Sequence, residues 1–335
     1  MDDATMRGTN RRSALRRVFG VGAAAFALPL IDRAGLPLIN EAAAQGGFTG
    51  AGKDQSDLLF IKSSEVPSIP MAEWDDEKAA TGPNRIAEGK ANVDTAPANA
   101  SRYEARTFAY PTGTIRVLTW KKGAPVNHQI TFETEIFVVS GSVTVNPIRG
   151  LPGKPTKLST GDAMFMPTGT IVNPKPTEET VLLTFLVNTA GPNPKGTIMR
   201  AKEAKVGPLR LEWLENGKEM GASAEKPDEM KKAPKDAIRL VTTRYQFDGN
   251  SIRYASLKKG AGHTSTYDNK RVDVLIYIAK GRLRRKEGDQ TVELVAGDTT
   301  REKLGNAGWW EAVEDSVFIS TDAPVRANPD AKAKA

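Results

Sequence analysis

Gly161-Asp162-Ala163-Met164-Phe165-Met166-Pro167-Thr168-Gly169 and Gly297-Asp298-Thr299-Thr300-Arg301-Glu302-Lys303-Leu304-Gly305 are two writings of one pattern, 136 residues apart. The same offset carries Thr180-Val181 onto Ser316-Val317. Upstream, Ile115-Arg116 and Lys121-Lys122-Gly123-Ala124 return as Ile252-Arg253 and Lys258-Lys259-Gly260-Ala261 at an offset of 137, and Gly141 returns as Gly281 at 140. Blocks in one order, with the offset changing only between them, read as one fold duplicated, its insertions confined to loops. The glycines sit where hairpins need φ > 0, and Asp162 and Asp298 are placed to bond the turn backbone through their side chains.

The chain has 335 residues, enough for two domains of roughly 150 residues each. With 30 Gly and 21 Pro, it favours short strands and turns over long helices. Two strand-rich regions follow, at 105–199 and 238–324. Before them lies an N-terminal extension over 45–104, between them a Lys-, Glu-, Ala- and Pro-rich linker over 200–237, and after them a tail at 325–335. The absence of cysteine excludes disulfides, thiolate metal sites and a cysteine nucleophile. Two histidines exclude any centre that needs three. The formal charge is +7, but no basic run with interleaved aromatics stands out, so nucleic acid is not an expected partner.

Asn10-Arg11-Arg12-Ser13-Ala14-Leu15-Arg16 resembles the twin-arginine export motif. An apolar stretch from Val18 to Ile31 follows, broken by Gly20, Gly22 and Pro29, and Ala42-Ala43-Ala44 offers a cleavage site before Gln45. The stretch falls short of the about 20 apolar residues that a membrane span needs. Residues 1–44 thus read as an export signal, with the twin-arginine machinery as partner, a periplasmic destination, and no membrane span in the mature chain.

The two strand-rich regions resemble the cupin family. Gly123, His128, Glu133 or Glu135, and Gly141 follow the outline of its first motif, and Gly161, Pro167 and Gly169 the spacing of its second. The second region keeps Gly281, Gly297 and Gly305 but has Lys303 at the proline position. The resemblance implies an all-β protein of two tandem jelly-roll barrels. It also implies a metal held by three histidines and a glutamate, and there the residues depart from it. The second-motif histidine positions are Val172 and Gly308, and the glutamate positions are Thr134 and Val274. Acids stand one register away, at Glu133, Glu135 and Asp273, where a strand points its side chains to the other face. No cofactor is therefore expected; the one divalent-metal arrangement left would use His128, Glu133 and Glu135.

The candidate catalytic residues are His128, a base or hydrogen-bond donor near neutral pH, with Glu133 or Glu135. Candidate ligand contacts are Phe137 and Val172 in the first barrel, and His263, Asp273, Tyr277, Trp309 and Trp310 in the second. Glu133, Glu135 and Phe137 alternate and share a strand face, as do Asp273, Leu275 and Tyr277; Val272, Val274, Ile276 and Ile278 form a wholly apolar face that belongs in a core. Of the adjacent Trp309 and Trp310, at most one can enter a barrel, as a stacking platform or a plug. Three functions fit: a protein binding a small polar, sugar-like or aromatic ligand in the first barrel; a metal-independent isomerase, epimerase or cyclase using His128 with an acid; and a metal-dependent oxygenase with a degenerate site. Pairing into a homodimer is open.

Overall fold

The computed structural model describes residues 59–74, 85–98, 100–122, 128–129, 134–187, 195–216, 218–235, 237–260, 262–266, 272–287, 290–303 and 307–324. Everything described belongs to one compact unit that begins at Lys53. The export-signal reading of residues 1–44 lies outside the described residues, as do Glu133 and Gly305.

The first copy of the repeat contains β1 (Phe60–Ile61), β2 (Ile69–Trp74), β3 (Arg85–Glu88), the short helix α1 (Lys90–Asp94), β4 (Ser101–Tyr110), β5 (Gly113–Trp120), β6 (His128–Gln129), β7 (Thr134–Ser140), β8 (Ser142–Arg149), β9 (Thr156–Ser159), β10 (Ala163–Met166), β11 (Ile171–Pro176) and β12 (Thr180–Leu186). The second contains β13 (Thr197–Met199), the two-residue β14 (Lys205–Val206), β15 (Arg210–Glu215), β16 (Lys218–Ser223), α2 (Pro227–Met230), β17 (Ile238–Gln246), β18 (Ser251–Leu257), β19 (Gly262–Thr266), β20 (Val272–Lys280), β21 (Arg282–Glu287), β22 (Gln290–Val295), β23 (Thr299–Glu302), β24 (Ala307–Ala312) and β25 (Ser316–Pro324). In each copy a large antiparallel sheet packs on a small one. In the first barrel the orders are β13-β10-β7-β12-β5-β4-β2-β3 and β6-β11-β8-β9. In the second they are β1-β23-β20-β25-β18-β17-β15-β16, with β14 on β17, and β19-β24-β21-β22.

These orders show that the extension and the linker are themselves two copies of one element. β2 pairs with β3 and β4, and β15 pairs with β16 and β17. The first strand of each copy crosses into the sheet of the other: β1 pairs with β23 and β13 with β10. The repeated aspartates fasten both crossings. Asp162 accepts hydrogen bonds from the Ser159 N–H at 2.9 Å, the Ala201 N–H at 2.9 Å and Arg200 Nη1 at 2.8 Å. Asp298 accepts from the Val295 N–H at 2.9 Å, the Ser63 N–H at 2.7 Å and Lys62 Nζ at 3.1 Å. The expected turn caps are present, and each also holds the three-residue 3₁₀ turn, Ser63–Glu65 or Ala201–Glu203, that follows the crossing strand. At the hairpin glycine between β7 and β8 the backbone demands glycine twice over. Gly141 has φ of 81°, and a Cβ there would stand 2.2 Å from the Glu179 carbonyl oxygen.

Each barrel has an apolar core between its two sheets. Ile136, Val138, Val143, Val145, Leu158, Met164, Met166, Val172 and Leu182 fill the first. Val274, Ile276, Ile278, Leu283, Leu294, Trp310 and Ala312 fill the second, so Val274, Ile276 and Ile278 of the apolar face read from the sequence lie in a core. The outer faces of the large sheets then pack on one another. Phe137 lies edge-on to Tyr245 at 5.5 Å and stacked on Tyr254 at 6.0 Å, and Phe165 stacks on Phe247 at 5.9 Å. Tyr245 donates its hydroxyl hydrogen to the Gly161 carbonyl at 2.6 Å, and burial pushes its pKa up to about 12. Both faces of these strands are thus covered, so the clean alternation of a half-exposed strand is absent.

Candidate functional site

Side chains directly opposite across a ladder share a sheet face, so the strand registers place every candidate. In β7, Ile136 and Val138 enter the first core, which turns Glu135 and Phe137 toward the second barrel. Glu135 is fully buried there and accepts a hydrogen bond from the Thr321 hydroxyl at 2.5 Å. The expectation that Glu135 and Phe137 line the first barrel is therefore corrected. So is the divalent-metal arrangement of His128, Glu133 and Glu135, because Glu135 leaves by the opposite face. Asp273, Leu275 and Tyr277 likewise face the first barrel rather than the interior of their own. Asp273 accepts from the Thr112 hydroxyl at 3.0 Å and sits 3.6 Å from Arg301 Nε. Tyr277 is buried, and its pKa is raised by that burial against the opposing pull of Arg106.

The interior of the second barrel carries a cluster that the family motifs do not point to. Trp310 is buried in the core, while Trp309, next along β24, is half-buried on the other face. The Trp310 indole N–H donates to Glu302 Oε1 at 2.6 Å, its ring stacks on Phe318 at 6.3 Å, and the Arg285 guanidinium lies over it at 4.9 Å. Arg285 donates to the Thr300 hydroxyl and, at 3.0 Å, to the Arg301 carbonyl. Glu302 faces Val274, the position where the family keeps its glutamate, from the neighbouring strand. Beside it Arg253 forms an ion pair with Asp322. Both point inward, since Arg253 is opposite Ser320, Ser320 opposite Ile276, and Asp322 opposite Val274. Inside this barrel the charge of Arg253 is thus met by Asp322, and Trp310 is buried among Glu302, Arg285 and Phe318.

The first barrel has the same skeleton with different chemistry. Val145, Pro174, Met164 and Met166 take the positions of Arg285, Trp310, Thr300 and Glu302. Arg116 takes the position of Arg253, opposite Thr184, which is itself opposite Ile136. The place of Asp322 is taken by Leu186, opposite Thr134. Arg116 is half-buried and makes no ion pair and no hydrogen bond among the described residues, where its buried Nε finds no partner. The acid that feels its field is Glu88 on β3, which lies beyond ion-pair distance; burial raises the Glu88 pKa, and Arg116 offsets the rise in part. Around Arg116 the first interior offers the buried Thr134 and Thr184 and an apolar wall of Ile136, Met164, Met166 and Val172.

The two histidines do not share a place in the repeat. His128 is in register with Val172, whereas His263 is in register with Trp310, and Ser265 stands opposite Gly308. The metal centre that the fold family implies does not fit these residues. Its histidine and glutamate positions carry Val172, Gly308, Thr134 and Val274, and among the described residues no three His, Cys, Asp or Glu side chains gather into a metal-binding group.

No protein-family model matches the chain, and no curated protein sequence does. Solved structures match its fold. A variant of oxalate decarboxylase from Bacillus subtilis, a bicupin, superposes with a TM-score of 0.50 at 11% identity, over 79% of this chain and 77% of that one. AerE from Microcystis aeruginosa gives 0.50 at 10% identity, over 67% of this chain and 93% of that one. With the topology above, the fold is that of two tandem cupin barrels. At these identities the likeness extends to the fold alone.

Proposed function

We propose that this is an exported, non-catalytic binding protein that holds a small molecule inside its first barrel, with the second barrel as its structural twin. One observation carries the reading: inside the second barrel Arg253 is met by the carboxylate of Asp322, while its counterpart in the first barrel, Arg116, meets no carboxylate among the described residues. A buried or half-buried charge without a partner is costly. A site kept in that condition is poised for a ligand, and apolar side chains around a few convergent polar groups are the usual lining of one. The catalytic alternative is weakened because Glu135, one of its two acids, faces the other barrel. Export rests on Asn10–Arg16 and the apolar stretch after it.

Native mass spectrometry of the protein purified from the periplasm tests this directly. One small molecule per chain, released on unfolding, is expected. Ligand-free protein that also shows no thermal shift across a metabolite library would sink the proposal. Replacing Arg11 and Arg12 by Lys should leave the protein in the cytoplasm; undiminished export would remove the twin-arginine part of the reading.

A further inference from the structure

The duplication supplies its own template for the ligand. In the second barrel Arg253 is met by a carboxylate, that of Asp322. In the first barrel the arginine is kept as Arg116 and the carboxylate is gone, its strand position filled by Leu186. Resting on the binding reading above, we propose that the ligand is a small monocarboxylate with an apolar body, whose carboxylate meets Arg116 as Asp322 meets Arg253.

Three features favour this class. A guanidinium presents donors in a planar fork that matches a carboxylate, and Arg253 meets Asp322 through Nη2 at the equivalent place in the second barrel. Among the described side chains the interior offers one cation, since the position of Arg285 is Val145, and one cation matches a single carboxylate. The remaining wall is apolar or hydroxylic, with Met164 and Met166 where the second barrel has Thr300 and Glu302, and Thr134 where it has Val274. A sugar would leave many hydroxyls against methionine and isoleucine. An apolar ring or short chain buries against the same surface favourably.

Benzoate and its neutral isostere benzamide separate the possibilities, measured by calorimetry on the full mature chain. Benzoate should bind tighter by about tenfold or more, the scale of one charge-assisted contact. Leu186→Asp, which copies the second barrel's own pair, should abolish the difference while leaving Arg116 in place. Arg116→Lys should keep part of it, since the charge stays and the fork is lost. The wild-type fold of Leu186→Asp is checked by circular dichroism; should it fail to fold, Arg116→Lys and Arg116→Met carry the test. Equal binding of both compounds, unmoved by these changes, overturns the carboxylate assignment and leaves a binding protein for neutral molecules. Binding of neither compound overturns the carboxylate assignment as well, and then an empty native mass spectrum marks failure of the binding reading itself.

Discussion

Replacing Asp162 by Ala removes the acceptor that holds the Ser159 turn and the segment following β13 in place. Asp162 is buried, and its two oxygens take two backbone N–H groups at 2.9 Å and Arg200 Nη1 at 2.8 Å. A hydrogen bond to a charged group contributes about 1.5–3 kcal/mol net, so the two backbone bonds amount to about 3 kcal/mol at the low end of that range. The Arg200 side chain is 31% exposed, and its ion pair adds at most about 1 kcal/mol after solvent screening. The expected loss is therefore about 3–4 kcal/mol, a large share of the about 5–15 kcal/mol that holds a typical protein folded. Asp298→Ala should cost a similar amount, because Val295, Ser63 and Lys62 repeat the arrangement. Urea unfolding at pH 7, followed by circular dichroism, gives the comparison. A loss under about 1 kcal/mol for either variant would contradict the claim that these aspartates fasten the crossing strands.

Other perturbations probe the rest of the structure. Gly141→Ala should destabilise by about 2 kcal/mol or more, since φ is 81° and the new Cβ would meet the Glu179 carbonyl; a neutral result in thermal unfolding would count against the turn geometry. Trp310→Phe deprives the buried Glu302 of its indole donor and should cost about 1–3 kcal/mol in urea unfolding; a smaller loss would argue against a ring held by that bond. Glu88 has a folded pKa above its ordinary 4.5, so the native state binds more protons than the unfolded one just above that pH, and stability falls as pH rises through the window. Glu88→Gln should accordingly stabilise the protein at pH 7, with the gain fading toward pH 4; a gain that is larger at pH 4 would reverse the sign of the argument.

The duplication and the two-barrel fold were legible because their markers answer local needs. Gly141 and Gly281 serve hairpins, and Asp162 and Asp298 cap turns, so each could be read from a few neighbouring residues. The extension and the linker did not declare themselves as repeats. Their strands are short, and β1 finds its partner β23 more than 230 residues away. Which way Glu135 and Phe137 face was equally hidden. Alternation tells which residues share a face, and a strand buried on both sides gives no sign of which face is which. Glu302 and Arg285 gave no sequence signal because neither stands at a ligand position of the family motifs. Arg116 and Arg253 were visible as repeat anchors. The signal in them was a difference elsewhere: an arginine kept in both copies, beside an aspartate in one and Leu186 in the other.

Methyl-resolved NMR of the mature chain during benzoate titration reads directly which barrel receives a ligand. The methyl groups of Met164, Met166 and Ile136 should shift and saturate together, while those of Ile276, Ile278 and Leu283 in the second core stay in place. Shifts confined to the second core, or spread evenly over both, would contradict a binding site built on Arg116.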